Sequence, residues 1–178
     1  MNVPNFISIV RILLLPFFIY YFQKGNWLVS AGILALSGFT DFLDGFIARK
    51  FGKITELGKI LDPIADKLTQ ATVAVCMAFH QVVLIPLLSV FIIKEFTMLC
   101  GSLVLLRKGL RPTAAKWYGK IATAGFYVAM FSIVLLEAFS AFDYTVLMLI
   151  LTAVSAALMI HALVRYIFLF FSIRASEH

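Results

Sequence analysis

The sequence is short of charged residues. Asp, Glu, Lys and Arg make up 13% of its 178 residues, which is about half the usual share in soluble domains. Hydrophobic residues make up 62% of the chain, and its mean hydropathy is +1.01. A soluble fold of this size could not bury that much apolar surface, and a disordered chain would be far less hydrophobic. The composition therefore excludes both classes and predicts an integral membrane protein.

Cysteine is also scarce. Cys76 and Cys100 are the two cysteines, and both lie in apolar runs, so a disulfide framework and a cysteine-based zinc site are excluded.

The N-terminal apolar run contains Arg11 and is followed by no small-residue cleavage pattern. We therefore do not expect a cleavable signal peptide.

Long apolar runs are what the sequence does have. A membrane-spanning helix needs about 20 mostly apolar residues. Six runs approach or exceed this length, at residues 6–22, 27–49, 58–80, 83–106, 116–139 and 144–171. The pattern predicts an all-α bundle of six transmembrane helices, with residues 1–178 forming a single membrane domain.

Basic residues are distributed unevenly between the connections. Most of them fall in the second and fourth connections and their flanks, at Arg49, Lys50, Lys53, Lys59, Lys67, Arg107, Lys108, Arg111, Lys116 and Lys120. The positive-inside rule then places these two connections and both termini in the cytoplasm. We interpret the net charge of +6 as a topology signal and as an anchor to anionic lipid headgroups. We expect no nucleic-acid partner.

Four of the nine acidic residues are aspartates that fall in one short stretch. Asp41 and Asp44 are three residues apart near the end of the second run, and Asp62 and Asp66 are four apart near the start of the third. These spacings place each pair on one face of its helix. A short loop joins the two helices, so both pairs can point into one gap.

Carboxylates gathered at membrane depth need neutralisation by protons or cations. Oxygen-only ligands favour hard cations such as Mg²⁺ or Mn²⁺, and a two-metal site suits phosphate-ester chemistry. The alternative is that these aspartates cap helix ends or pair with Lys59 and Lys67. Four acids at this spacing in so weakly charged a chain favour the metal site.

The same stretch carries a longer pattern: Asp41, Asp44, Gly45, Ala48 and Arg49, then eight residues, then Gly58, Asp62 and Asp66. It resembles the signature of the CDP-alcohol phosphatidyltransferase family, D-x-x-D-G-x-x-A-R followed by G-x-x-x-D-x-x-x-D. All eight signature positions match. The family's six-helix topology, cytoplasm-facing site and usual homodimer are what this resemblance implies for the fold.

The resemblance also implies a reaction, in which a hydroxyl attacks the β-phosphorus of CDP-diacylglycerol and CMP leaves. Asp41, Asp44, Asp62 and Asp66 would hold two divalent cations, Mg²⁺ or Mn²⁺. Asp66 would also act as the catalytic base. The residues against the CDP moiety would be Gly45, Ala48, Arg49 and Gly58.

An anionic acceptor would need cations near the metal site. Lys94 and Arg165 lie inside apolar runs, and intramembrane charges are candidates for function by default. Lys116 and Lys120 open the fifth run. These four residues are our candidates for an acceptor phosphate pocket, although Lys94 could instead pair with Glu95, and Arg165 could extend to the lipid headgroups.

The segment from Val3 to Ser8 with Arg11, and that from Leu61 to Lys67, are similar to bacterial phosphatidylglycerophosphate synthases. That similarity implies glycerol 3-phosphate as the acceptor. Cardiolipin synthases of the same family, which use phosphatidylglycerol, remain the alternative. From other classes, a cation transporter or channel subunit and an intramembrane prenyltransferase are the rivals, and the closely spaced acids at one membrane edge disfavour both.

Overall fold

The structure is a computed structural model that describes residues 3–51, 56–107, 117–139 and 143–175. Side chains are described for residues 8–41, 61–107, 117–139 and 143–172. Within these ranges the chain is helical and contains no strand.

Six α-helices are found in the described parts of the chain. They are α1 (Val3–Gln23), α2 (Trp27–Phe51), α3 (Glu56–His80), α4 (Ile85–Arg107), α5 (Trp117–Ala138) and α6 (Thr145–Ala175), with a short 3-10 turn at Val82–Leu84 before α4. The six predicted helices are confirmed, and their ends differ from the predicted ones by four residues at most.

Within the described residues, three helical segments are long and apolar enough to cross a membrane. They are Val82–Arg107, Trp117–Ala138 and Thr145–Ser172. Shorter apolar stretches, Ser8–Gln23 and Trp27–Asp41, lie in α1 and α2. The first half of α3 carries Asp62, Asp66 and Lys67, which lowers its hydropathy. The less apolar part of α3 is thus the part that carries two aspartates of the predicted site.

The chain divides into two compact units. One unit comprises Met1–His80 and Met130–Asp143, and the other comprises Gln81–Ala129 and Tyr144–His178. In the first unit, α1 packs against both α2 and α3. In the second, α4 packs against α6.

A tight reversal places α2 beside α1. Gly25 has a φ of +70°, a left-handed conformation that glycine adopts without a steric penalty. The backbone N–H of Asn26 donates to the carbonyl of Tyr21, and that of Gly25 donates to the carbonyl of Phe22. This hydrogen-bond pattern is a Schellman motif, which ends α1 and satisfies its last carbonyls.

One face of α1 is buried along its described length. Its buried residues recur at intervals of three and four, at Ser8, Arg11, Leu15, Phe18 and Phe22. This spacing is that of a single helical face. The apolar end of the face packs Phe18 against Phe22, with ring centres 5.4 Å apart. Its polar end, Ser8 and Arg11, lies one turn from the start of the apolar part.

The second unit has a small apolar core and an apolar exterior. Phe91 of α4 stacks on Phe126 of α5 with ring centres 5.4 Å apart. Ile92, Ile93 and Phe96 on α4 are more than half exposed. A soluble monomer rarely exposes such contiguous apolar surface, whereas lipid acyl chains would cover it in a membrane.

Hydroxyl groups inside the helices bond to the backbone. Ser30, Thr69 and Thr152 each donate to the carbonyl four residues earlier, at 3.0, 2.9 and 2.7 Å. In a bilayer a polar group without such a partner would be costly. These side chains are therefore satisfied within their own helices.

Candidate active site

Aspartates of α2 and α3 meet side chains of α1 in the first unit. Asp41 lies on α2, and Asp62 and Asp66 lie one turn apart on α3. On α1, Ser8 and Arg11 are also one turn apart, and both side chains are buried. We refer to these five residues, Ser8, Arg11, Asp41, Asp62 and Asp66, as the acidic site.

The α1 side chains contact all three aspartates. Arg11 donates from Nη1 to Oδ1 of Asp66 at 3.1 Å. Its Nη2 lies 2.7 Å from Oδ1 of Asp41, an ion-pair distance, although its N–H groups are not aligned for a hydrogen bond. Ser8 donates its hydroxyl to Oδ1 of Asp62. One guanidinium therefore holds acids from two helices.

The carboxylates remain accessible. The side chain of Asp41 is 52% exposed and that of Asp66 is 34% exposed, whereas Arg11 is 1% exposed. The guanidinium of Arg11 is thus buried, whereas solvent or a ligand can reach the carboxylates of Asp41 and Asp66. Among these five residues one positive charge faces three carboxylates, a balance that favours a further cation.

No three carboxylate, imidazole or thiolate groups among the described side chains lie close enough together to share one metal ion. The fourth predicted ligand, Asp44, falls on the α2 backbone but outside the described side chains. The four-aspartate metal centre therefore stays a prediction.

The residues predicted to contact CDP lie on the two helices that carry the acids. Gly45, Ala48 and Arg49 belong to the last part of α2, and Gly58 belongs to the start of α3. All four lie outside the described side chains. Their predicted contacts with CDP stay predictions.

Lys94, a predicted acceptor residue, is paired within its own helix. Its side chain is 2% exposed, and its Nζ lies 2.7 Å from Oε1 of Glu95, which is 14% exposed. This is the pairing that the sequence analysis left open as the alternative. It satisfies a charge that would otherwise be costly at membrane depth.

The other predicted acceptor residues differ in their surroundings. Arg165 of α6 is exposed, and its guanidinium carbon lies 5.8 Å from the centre of the Tyr118 ring, within the range of a cation–π interaction. Lys120 of α5 is also exposed. Lys116 lies outside the described residues. The proposed acceptor pocket stays a prediction.

Ser8 and Arg11 are the site residues that the sequence analysis missed. Arg11 served there as an argument against a signal peptide and as part of a segment with family resemblance, with no role in the site. Two signals could have identified it: an ionisable residue within an apolar run is a candidate for function, and Ser8 lies three residues away on the same helical face. Their partners are 54 and 55 residues further along the chain, so no local pattern reveals the contacts.

A second polar group lies at the other end of α3. His80 Nε2 is 3.3 Å from Oε1 of Glu137, whose side chain is 8% exposed. The His80 ring also packs against Trp27 and Phe22, with ring centres 4.5 and 5.9 Å apart. These contacts link α3 to the end of α5 and to the start of α2, and they are structural contacts of His80.

Comparisons with known proteins agree with the motif. A family profile described as CDP-alcohol phosphatidyltransferase matches residues 1–167. A protein from Aquifex aeolicus (strain VF5), named CDP-diacylglycerol–glycerol-3-phosphate 3-phosphatidyltransferase, is 32% identical over 168 residues, which cover 93% of this chain and 94% of that relative.

Two further relatives match shorter stretches. A protein of the same name from Rickettsia typhi (strain ATCC VR-144 / Wilmington) is 42% identical over 79 residues, or 43% of this chain and 44% of the relative. A Streptomyces coelicolor protein named cardiolipin synthase (CMP-forming) is 31% identical over 131 residues, or 69% of this chain and 60% of the relative. Because the family profile matches residues 1–167 of the 178, the chain belongs to the CDP-alcohol phosphatidyltransferase family.

Proposed function

We propose that this protein transfers a phosphatidyl group from CDP-diacylglycerol to glycerol 3-phosphate, giving phosphatidylglycerophosphate and CMP. The observation that carries the proposal is the family match over residues 1–167, which includes all four motif aspartates. The relative that covers nearly the whole chain is named for this reaction. The acidic site supports it, because three of those aspartates are held by one face of α1.

The donor chemistry of the acidic site fits divalent cations. Members of this family are generally dependent on divalent metals. The described ligands are carboxylate oxygens, which hard cations such as Mg²⁺ and Mn²⁺ prefer. Asp41, Asp44, Asp62 and Asp66 would hold two such ions. When bound, the ions supply positive charge that offsets the diphosphate and stabilises CMP as it leaves.

The chain's own residues perform the remaining steps. In our proposal Gly45, Ala48, Arg49 and Gly58 bind the CDP moiety, where the small residues permit a close approach and Arg49 pairs with phosphate. Asp66 takes the proton from the acceptor hydroxyl. The hydroxyl oxygen forms a bond to the β-phosphorus, and the bond from that phosphorus to the CMP oxygen breaks.

Glycerol 3-phosphate is an anion, and its binding would use the cations Lys116, Lys120 and Arg165. Lys94 was also a candidate, but its ion pair with Glu95 at 2.7 Å favours a structural contribution unless the substrate displaces Glu95. Arg165 is well placed to bind phosphate. Its guanidinium lies over the face of the Tyr118 ring, and the N–H groups at the edge of the guanidinium can donate to phosphate oxygens.

A cardiolipin synthase that uses phosphatidylglycerol is the second candidate, since relatives of this name match the chain as well. Product analysis by mass spectrometry separates the two. The purified enzyme would receive CDP-diacylglycerol with glycerol 3-phosphate, phosphatidylglycerol, serine or inositol phosphate in turn. We expect phosphatidylglycerophosphate from the first mixture alone. Cardiolipin from the second mixture would contradict the proposal, and absence of CMP release with every acceptor would favour the cation transporter or channel.

The protein is an integral membrane protein, and we propose that it is of the bacterial plasma-membrane type. The basic connections favour an acidic site and termini on the cytoplasmic side. A cysteine introduced at Gln81, in a cysteine-free background, should react with an impermeant maleimide added outside intact cells. A cysteine at Lys53 should react only after lysis. The reverse pattern would overturn this orientation.

We further propose that residues 1–178 act as one membrane domain and that two copies form a homodimer, as the family resemblance implies. The mass of the detergent-solubilised protein, measured by light scattering with the detergent subtracted, tests the second point. A mass of one chain at working concentration would contradict it.

A further inference from the structure

The polar end of the buried α1 face is built to contact acids on two other helices. Ser8 and Arg11 are 0% and 1% exposed, and an ionised side chain is seldom buried so fully unless it is paired. Arg11 contacts Asp41 of α2 and Asp66 of α3 through different nitrogens. Ser8 contacts Asp62, one turn before Asp66.

A single structural ion pair would not need this arrangement. One carboxylate is sufficient to balance one guanidinium, yet Arg11 reaches two that belong to separate helices. The planar guanidinium directs a hydrogen bond from Nη1 to Asp66 and at the same time places Nη2 at ion-pair distance from Asp41. The hydroxyl of Ser8 adds a third contact, from the same face of α1 to the remaining described aspartate.

The contacts leave the acids able to bind something else. Ser8 and Arg11 contact Oδ1 of each acid, and an ionised carboxylate has about four acceptor positions on its two oxygens. Asp41 and Asp66 are also 52% and 34% exposed. A carboxylate held from its buried side can therefore present oxygen to a cation on its open side.

We propose that Ser8 and Arg11 are positioning residues for the metal-binding aspartates. They hold acids of α2 and α3 at a fixed separation before a cation arrives, against the repulsion that would otherwise spread them. This inference rests on the proposed function, because it takes Asp41, Asp62 and Asp66 to be metal ligands. Hydrogen-bonded partners of metal ligands typically change metal affinity by about 10- to 100-fold when they are mutated.

Manganese binding measures this role without turnover. The detergent-purified protein, stripped with EDTA, would be titrated with Mn²⁺ in the presence of CDP, and the free ion would be followed by its electron paramagnetic resonance signal. We expect Ser8→Ala to weaken Mn²⁺ binding by about 10- to 100-fold. Arg11→Lys keeps the positive charge but has one terminal nitrogen in place of two, so it should weaken binding as well. Arg11→Gln removes the contacts together with a charge that repels Mn²⁺, so its loss of affinity should be smaller than that of Arg11→Lys.

Matched controls are available in the chain. Ser30 is also 0% exposed, but its hydroxyl donates to the carbonyl of Asn26, directly before α2. Arg107 is exposed at the end of α4. Ser30→Ala and Arg107→Lys should leave Mn²⁺ affinity unchanged, and thermal unfolding of every variant in EDTA would show that each is folded before titration.

The outcomes distinguish this inference from the proposed function. Wild-type protein that binds no Mn²⁺ would contradict the metal site itself. Wild-type protein that binds Mn²⁺, with folded Ser8→Ala and Arg11→Lys variants that bind it equally well, would overturn the positioning role alone. Arg11→Gln is the variant most prone to misfolding, and the other two substitutions decide the question if it does not fold.

Discussion

Substitution of Asp66 by asparagine separates its proposed chemical role from its structural one. In the wild-type chain, Nη1 of Arg11 lies 3.1 Å from Oδ1 of Asp66. Asparagine has nearly the same shape as aspartate and keeps an Oδ1 acceptor for Arg11. It carries no negative charge and cannot take a proton from the acceptor hydroxyl. A positioned general base contributes about 10²- to 10⁴-fold to rate, so we expect CMP release to fall by at least about 100-fold.

The structural cost of this substitution should be limited. The Asp66 side chain is 34% exposed, and Arg11 retains Asp41 at 2.7 Å when Asp66 loses its charge. Arg11 itself is buried, but it keeps both a hydrogen-bond acceptor at position 66 and its ion pair with Asp41, so we expect a loss of no more than about 1.5–3 kcal/mol. For a chain of this size, 1 kcal/mol corresponds to a change in melting temperature of about 2–4 °C. Lost activity with a fall in melting temperature larger than the expected loss gives would therefore point to misfolding.

The assay follows CMP released from CDP-diacylglycerol in detergent, with Mn²⁺ and glycerol 3-phosphate in excess. Asp143→Asn serves as the matched control, because Asp143 is an exposed acid between α5 and α6. It should retain wild-type activity. Asp66→Asn protein that folds and keeps more than about a tenth of wild-type activity would refute the base assignment, since the expected loss is about 100-fold or more.

Further predictions concern the metal, the buried ion pairs and the acceptor. EDTA should abolish CMP release and added Mg²⁺ or Mn²⁺ should restore it; activity that survives chelation would exclude a metal-dependent reaction. Lys94→Gln should lower the melting temperature because it leaves Glu95, 14% exposed, without its charged partner, and Lys94→Gln/Glu95→Gln should recover part of the loss; a double variant less stable than the single one would contradict this pairing energy. Glu137→Ala should lower the melting temperature by a few degrees, on the order of 1–2 kcal/mol for a buried pair partner, while CMP release stays at the wild-type rate; lost activity in folded protein would assign Glu137 a role in the reaction. Arg165→Ala should raise KM for glycerol 3-phosphate with little change in kcat, and Tyr118→Leu should do so more weakly by removing the ring beneath the guanidinium; an unchanged KM in both would show that Arg165 does not bind the acceptor.

The helices and the positions of the acids were predictable from the sequence. The apolar runs fixed six helices to within a few residues of their ends, because hydrophobic length is a strong constraint in a membrane protein. The spacings within the pairs Asp41–Asp44 and Asp62–Asp66 predicted one acidic face on α2 and one on α3, and the structure places Asp41, Asp62 and Asp66 on those helices. Family membership, predicted from the motif, is confirmed by the profile match.

The contacts of α1 could not be predicted in the same way. Arg11 lies 55 residues before Asp66, and nothing in the local pattern states which helix its buried face meets. That face depends on how α1 packs against α2 and α3 at once. Without the packing, Arg11 is only a basic residue inside an apolar run.

Lys94 illustrates the opposite difficulty. The sequence offered two partners for it, the adjacent Glu95 or a bound phosphate, and both are compatible with a lysine at membrane depth. The ion pair at 2.7 Å favours the first. Adjacent residues on a helix do not share a face, so the spacing of Lys94 and Glu95 did not predict a contact. The pair forms because both side chains extend toward each other in the structure.

The most direct test of the acidic site is a crystal structure of the enzyme with Mn²⁺ and CDP, recorded at the manganese absorption edge. We predict anomalous peaks at coordination distance from the carboxylates of Asp41, Asp62 and Asp66, with Ser8 and Arg11 still in contact with them. Crystals that hold CDP but show no manganese peak among these carboxylates would contradict the claim that α2 and α3 share divalent cations.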